Sequence, residues 1–359
     1  MSKKIRIAIV GLGFGSAFVE IYAQHPDVAD VGLCDSDPTK LARFDAQRFP
    51  HRHHDLAEVL RGDRYDAVHL FLPVTWHTEP TLAALAAGKH VACAVPMAHR
   101  LEDLERIIAA QEKTGLNYMM METMIYGREY FFAKDLYRAG KLGRIQFLRG
   151  CHSQDLEDIN PVWRGLPPMW YMTHAVSALL DILDTQAAQV CCLGSGQMRA
   201  EFTKPYGNPY PIETAIFVLR GTAARAEVTR TLFETAPWGD EGFDIYGEHG
   251  TYVTIGHSPP VLSTIAPLQG TGERRQLNYG QGMGELPFRP DLLPAALVPF
   301  AQGGHSGSHP HLVNEFIRSI VEARQPYVHA RRAANWCAAG ICAHESAMRD
   351  GAKVPVPLF

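Results

Sequence analysis

The apolar run Ile5–Val10 passes without a spacer into Gly11-Leu12-Gly13-Phe14-Gly15-Ser16, which opens an amphipathic stretch. Few folds accommodate a strand that ends in such a loop and restarts as a helix. One glycine permits the tight turn, and another lets the backbone approach a pyrophosphate that rests on the helix N-terminus. The third position of the pattern is Ser16, small enough for a helix to pack closely on a sheet. The loop by itself is equally the mark of a plain strand-to-helix turn. Asp35 changes the balance, because it ends the next apolar run at the distance where a carboxylate accepts hydrogen bonds from ribose hydroxyls. Ser36 and Asp37 follow it, with no arginine. Two acids there repel a 2′-phosphate, so NAD is favoured over NADP.

The first 123 residues alternate short apolar runs with amphipathic ones, the rhythm of a parallel sheet covered by helices. Strands are expected at Ile5–Val10, Asp30–Cys34, Ala67–Leu72, His90–Ala94 and Asn117–Glu122. Helices are expected at Ala17–Gln24, Pro38–Gln47, Thr78–Ala87 and Leu101–Thr114. In the last of these, Leu101, Leu104, Ile107 and Ile108 share one face. Beyond Tyr130 the rhythm changes. A helix (Phe131–Gly140) leads to a strand (Ile145–Cys151), a Pro- and Trp-rich loop (Asn160–Met169) and a helix (Thr173–Asp184). Four β-rich runs follow without intervening helices, at Gln189–Leu193, Glu213–Leu219, Ala226–Phe233 and Phe243–Ile255, which suggests antiparallel pairing. Residues Ser258 to Ser308 carry many Gly and Pro and read as a long loop, and helices around Leu312–Ala323 and Ala330–Arg349 close the chain. The expected architecture is α/β: an N-terminal Rossmann dinucleotide-binding domain over residues 1–123, then an α/β domain with an open, mainly antiparallel sheet over 124–359.

At 359 residues the chain has room for two cores. Its net charge of -4 gives no electrostatic reason to expect nucleic acid or an anionic membrane as a partner. The seven cysteines form no C-x-x-C pair and several sit in apolar runs, which reads as a reducing compartment. Lys3 and Lys4 precede an apolar stretch, but one too short for a signal peptide and continuous with the glycine loop. No apolar run reaches the roughly 18 residues of a membrane helix. A cytoplasmic protein is expected.

Phe71–Ala98 reads FLPVTWHTEPTLAALAAGKHVACAVPMA. This resembles the segment of the Gfo/Idh/MocA family (glucose–fructose oxidoreductase and inositol dehydrogenase) in which a strand ends T-P-N-x-x-H and a helix leads to A-G-K-H-V-x-x-E-K-P. KDLYRAGKLG at Lys134–Gly143 and GICAHESAMRDGAKVPVP near the C-terminus resemble further family segments, so the likeness runs the whole length. It implies NAD(P)-linked chemistry on sugars or polyols, cofactor contacts at Pro73, His77 and Pro96, and homodimers or homotetramers packed through the sheets. Two departures stand out. The family's E-K-P is Ala94-Val95-Pro96, without the lysine that assists proton transfer. The family's D-x-x-x-H is Trp170-Tyr171-Met172-Thr173-His174, which keeps the histidine and replaces the aspartate with Trp170.

Oxidation of a carbinol needs a base for the hydroxyl proton, and histidine titrates in the useful range. By the resemblance His174 faces the nicotinamide; a core histidine satisfied by backbone is the plainer alternative. Tyr171 offers a second hydroxyl or a packed aromatic. Glu122 ends the last Rossmann strand, where open α/β sheets bind ligands; it either enters the site or pairs with Arg128 or Lys134. In Gly303–His311, the alternating and four-residue spacing of His305, His309 and His311 suggests zinc, but no Cys or H-E-x-x-H lies nearby, so no metal is expected. A glycine-flexed loop delivering His309 to a substrate is one reading of that run, and a loop before a helix is the other. His51, His53 and His54 read as an exposed turn. Three activities fit: an NAD-dependent sugar or polyol dehydrogenase, an NAD-retaining enzyme that cleaves glycosides through transient oxidation and elimination, and a non-catalytic NAD- or sugar-sensing regulator.

Overall fold

The computed structural model describes residues 4–158, 161–237, 241–266 and 276–359. The chain begins β1 (Ile5–Val10), α1 (Ser16–Gln24), β2 (Val28–Cys34), α2 (Pro38–Leu41), β3 (Arg52–His53), α3 (Leu56–Leu60), β4 (Ala67–Leu70), α4 (Thr78–Ala86), β5 (His90–Cys93), α5 (Leu101–Thr114) and β6 (Tyr118–Met120). It continues with α6 (Arg128–Arg138), β7 (Ile145–Ser153), α7 (Thr173–Ile182), β8 (Ala187–Ser195), α8 (Ala200–Tyr206), β9 (Ile212–Leu219), β10 (Arg225–Thr231), β11 (Gly242–Gly247) and β12 (Gly250–Val253). The remaining elements are β13 (Val261–Ala266), β14 (Gln276–Gly282), α9 (Ser308–Val321), α10 (Ala330–Ala347) and β15 (Val354–Pro355). The described residues divide into two compact units. The first holds those up to Tyr126 with Arg289–Cys337 and Phe359; the second holds those of Gly127–Phe288 and Ala338–Leu358.

In the first unit six parallel strands run in the order β3-β2-β1-β4-β5-β6. The order reverses between β1 and β4, the switch point beyond whose strand ends open α/β sheets bind ligands. β1 is apolar nearly throughout because both faces of a parallel sheet are covered. α5 buries Leu104, Ile107, Ile108 and Gln111, with Glu102 and Asp103 in its first turn and Lys113 in its last, as the helix dipole favours. The helix expected from Pro38 to Gln47 stops at Leu41. Beyond it the Arg52 guanidinium donates to the carbonyls of Phe44 and Phe49. His53 lies in the edge strand β3, not in a free turn, and its Nε2 meets the Tyr65 hydroxyl at 2.8 Å. α9 belongs to this unit and packs on α1 through its buried Leu312, Val313, Phe316 and Ile317 face.

The second unit holds a nine-stranded sheet in the order β14-β13-β12-β11-β7-β10-β9-β8-β15. Only β7 and β10 pair in parallel; every other neighbouring pair is antiparallel. All ten residues of α7 are buried, and the helix packs on β7, β10 and β11. Gly150 makes that approach possible, since a Cβ there would stand 2.0 Å from the Ala175 carbonyl oxygen. The run Phe243–Ile255 is a hairpin, β11 to β12, rather than one strand. Residues 258–308 are not simply a loop. They contain β13 and β14 at the sheet edge, and β14 (QLNYGQG) is too rich in polar residues and glycine to read as a strand.

Candidate functional site

The glycine loop is held from beneath. Asp35 is buried, its Oδ2 accepts the Leu12 amide at 2.7 Å, and its Oδ1 accepts the Asp37 amide at 2.9 Å. The Lys40 ammonium stands 3.3 Å away. Asp35 thus fixes the loop from the end of β2, while Ser36 is exposed beside it and Asp37 caps α2 through the Thr39 amide. The three glycines are needed for different reasons. Gly11 has φ +92°, and a Cβ there would lie 2.1 Å from the Phe71 carbonyl oxygen. At Gly15 a Cβ would meet the Gly11 oxygen at 2.2 Å and the Phe71 ring at 2.6 Å. At Gly13 it would meet nothing within 4 Å. The protein's own packing therefore requires glycine at 11 and 15 but not at 13, where the bare backbone borders open space. Ser16 donates to the Gly13 carbonyl at 2.8 Å, and no side chain caps the N-terminus of α1. An anionic ligand such as a dinucleotide pyrophosphate fits this arrangement.

At the ends of β4 and β5, His77 ties two loops together. Its Nδ1 lies 2.6 Å from the Pro96 carbonyl and its Nε2 2.8 Å from that of Leu72. Carbonyls only accept, so both nitrogens are donors and the ring is an imidazolium. Burial opposes that charge, but Cys93 and the two carbonyls outweigh it and bring the pKa up to about 9. Pro73 opens the turn Val74–Trp76 that precedes His77.

Glu122 is fully buried two residues past β6, and its Oε1 accepts the Met124 amide at 3.1 Å. It caps a turn. Lys134 pairs with Asp181 at 3.0 Å and Arg128 with Glu129 at 2.9 Å. His309 is buried as well. Its ring lies 4.4 Å from that of Phe18 and 5.6 Å from that of Phe14, and its Nε2 is 3.2 Å from His305 Nδ1. Burial, and then His305, push its pKa down to about 4. It packs as a neutral ring beside the aromatic residue of the glycine loop, not on a flexed tip. Among the described residues no group of three metal-ligating side chains occurs.

The second unit gathers a different set. His174 lies in the first turn of α7, and its Nδ1 is 3.6 Å from Glu241 Oε2. The same oxygen is 3.8 Å from His152 Nδ1, and the two imidazoles are 5.3 Å apart. Tyr171 meets His174 edge-on at 5.5 Å. Behind Tyr171 lies Arg230, fully buried, donating to the Tyr171 carbonyl at 2.9 Å, the His152 and Thr231 carbonyls at 2.8 Å and Gln154 Oε1 at 2.6 Å. Burial lowers its pKa to about 10, which leaves it charged at neutral pH. The turn that carries Tyr171 is anchored by Glu213, which accepts the Met169 amide at 2.8 Å and holds His344 Nδ1 at 2.6 Å.

The profile of the oxidoreductase family with an NAD-binding Rossmann fold matches residues 5–122. Over that stretch, the nucleotide-binding unit matches the Gfo/Idh/MocA family. The chain is 29% identical over 153 residues to a glycosyl hydrolase family 109 protein of a Shewanella species, covering 40% of the chain and 34% of that protein. It thus spans about a third of the length of that relative. A glycosyl hydrolase family 109 protein of Saccharopolyspora erythraea is 23% identical over 99% of the chain and 83% of its own length. The fold is that of levoglucosan dehydrogenase solved with NADH and L-sorbose (TM-score 0.78, 20% identity, 99% and 100% of the two chains). It is also that of a Kribbella flavida oxidoreductase domain protein (TM-score 0.79, 19% identity, 99% and 100%).

Against the family pattern, Trp170 meets Tyr206 and His344 edge-on in the position of the missing aspartate. The carboxylate beside His174 comes instead from Glu241, just ahead of β11. Sequence reasoning passed over Glu241, His152 and Arg230. For Arg230 a signal existed, since it falls in the inward phase set by Ala226 and Val228. Glu241 and His152 carry none, because only the fold brings them to α7.

Proposed function

We propose that the chain is an NAD-dependent oxidoreductase acting on a hydroxyl (or keto) group of a sugar, polyol or glycoside. The observation that carries this reading is the environment of His174, which lies in the first turn of a buried helix with Tyr171 edge-on and its Nδ1 3.6 Å from the Glu241 carboxylate. When bound, NAD supplies the two-electron oxidation. Gly11, Gly13, Phe14, Gly15 and Ser16 would hold its pyrophosphate, Asp35 and Ser36 its ribose, and Pro73, His77 and Pro96 would contribute the remaining contacts. His174 takes the hydroxyl proton as the carbinol carbon is oxidised, and Tyr171 orients the hydroxyl. Glu122 and His309 serve as supports of the first unit in this reading.

A second reading has specific support. The relatives named glycosyl hydrolase family 109, and the Ala94-Val95-Pro96 departure, favour an enzyme that oxidises a glycoside transiently, eliminates the glycosidic bond and restores its cofactor. One experiment separates the two. Purified protein is mixed with NAD and a panel of sugars, polyols and glycosides while nicotinamide absorbance and product mass are followed together. Sustained NADH formation that is lost in His174→Ala supports the dehydrogenase. A changed product mass without net NADH supports the second reading, and silence in both channels with NAD binding intact refutes both.

The seven cysteines are all free, which supports a cytoplasmic location. No helix among the described residues is long and apolar enough to cross a membrane. Leu193 on β8 and Ile216 on β9 are exposed, which supports a homodimer or homotetramer packed through that sheet. Light scattering on a Leu193→Glu protein, compared with the unaltered chain, tests this.

A further inference from the structure

We propose that a cavity at the N-terminal ends of the first unit's strands binds a small organic carboxylate with a short apolar body, and that Lys89 holds the carboxylate. The cavity has a volume of about 480 Å³ and lies where β1, β4 and β5 begin, at the opposite end of β1 from Gly11. Every residue that lines it belongs to the first unit, and none of them is assigned above to cofactor or catalysis. Its volume falls within the roughly 300–1,000 Å³ of small-molecule sites.

Lys89 carries the argument. It follows the left-handed Gly88 (φ 75°), stands immediately before β5, and is only 4% exposed. Its ammonium donates to the Gly62 carbonyl at 2.8 Å. Among the described residues that is its one hydrogen bond, and it has no ion-pair partner. An ammonium has three donors, and a lysine is almost never buried this far without a paired charge. The acids of the cavity are directed to Arg6 instead. Asp66 accepts from Arg6 Nε at 3.0 Å, from its Nη2 at 2.9 Å and from its amide at 3.0 Å. The exposed Asp63 adds its charge to that of Asp66 on the same guanidinium. His90 brings no charge, because its Nδ1 accepts the Asn117 amide at 2.9 Å and an accepting ring nitrogen carries no proton. Ile320 and Val321, half-buried in the last turn of α9, supply an apolar wall. A carboxylate on Lys89 makes a charge-assisted hydrogen bond, and an aliphatic body attached to it covers that wall.

The probe is isovalerate, titrated by NMR into full-length protein whose isoleucine δ1 methyls carry 13C, with Ile320→Val assigning the reporting signal. A saturable shift of that signal is expected. The same skeleton as isoamyl alcohol or isoamylamine should bind at least about tenfold more weakly, the worth of one hydrogen bond to a charged group. Lys89→Met keeps the length and removes the charge, so it should weaken isovalerate by a similar factor and leave the alcohol unchanged. Val321→Glu sets a carboxylate on the wall of the same cavity and should abolish the titration; it decides the matter if Lys89→Met does not fold. Unaltered signals from the other isoleucines show that a variant is folded. Absence of a saturable shift with isovalerate overturns the proposal, as does a folded Lys89→Met protein that binds isovalerate as well as wild type. Equal or tighter binding of the amine also overturns it, since Asp63 and Asp66 would then govern the cavity.

Discussion

Gly13→Ala and Gly11→Ala test whether the loop is built around a ligand. An added methyl at Gly13 meets no protein atom within 4 Å, and the backbone there is not left-handed. Replacing glycine in a compatible conformation restricts the unfolded chain, so the variant should be as stable as wild type or about 0.4–1 kcal/mol more stable. Gly11→Ala forces a side chain to φ +92° and sets a Cβ 2.1 Å from a backbone oxygen that cannot swing away. The left-handed conformation costs about 1–2 kcal/mol and the clash about 1–3 more, for a loss of roughly 2–5 kcal/mol. On the proposed reading ligand binding reverses the roles, because the Gly13 methyl would occupy the space of a pyrophosphate. With NAD at 100 times the wild-type Kd, wild type gains about 2.7 kcal/mol of stability. A hundredfold weaker complex gains only about 0.4 kcal/mol under the same conditions. Thermal or urea unfolding of each protein, with and without NAD, reads both quantities. The reasoning fails if Gly13→Ala keeps the full NAD-dependent gain, or if it loses as much intrinsic stability as Gly11→Ala.

Three further outcomes follow from the buried charges. The His77 pKa rises from 6.5 to about 9, so its contribution, about 3 kcal/mol, is complete below pH 6.5 and is lost as pH climbs through 9. The stability difference between wild type and His77→Leu in urea should therefore shrink between pH 6.5 and 9, and a constant difference would contradict the imidazolium. His309 is displaced the other way, to about 4, so its contribution is complete above pH 6.5 and is lost as pH falls toward 4. His309→Phe, stacked on Phe18, should unfold less readily than wild type at pH 5 while matching it at pH 8, as read by thermal melts. Glu213→Ala removes one side of the buried pair with His344 and the anchor of the Met169 amide, and should cost about 3–5 kcal/mol in urea unfolding.

The first unit was legible because its information is local. β1, the glycine loop and α5 are each specified by contiguous residues, and the observed strands follow the apolar runs to within two residues at most ends. The helix expected to reach Gln47 stops at Leu41, and the Phe44 carbonyl beyond it accepts from Arg52 instead. β14 escaped notice because an edge strand needs backbone partners, not an apolar face. The candidate site divides in the same way. The glycine loop and Asp35 lie close in sequence, whereas the Glu241–His174 and Arg230–Tyr171 pairs join residues 67 and 59 apart. Glu122 and His309 were singled out by their positions at a strand end and in a glycine-rich run, but those positions say nothing about burial, and burial turned each of them inward.

The first unit is assembled from two stretches of chain separated by the second, and this has a consequence for biosynthesis. α9, which covers α1, lies beyond Arg289, after the residues that build most of the other unit. At about 5–20 residues per second, the ribosome takes on the order of ten to thirty seconds to make the intervening stretch. Through that interval the nascent sheet has its strands but not its outer helix, and the buried face formed by Phe18 and Ile21 waits uncovered. A nascent chain stalled before Arg289 should bind trigger-type chaperones and resist protease poorly, and one stalled well past Val321 should not.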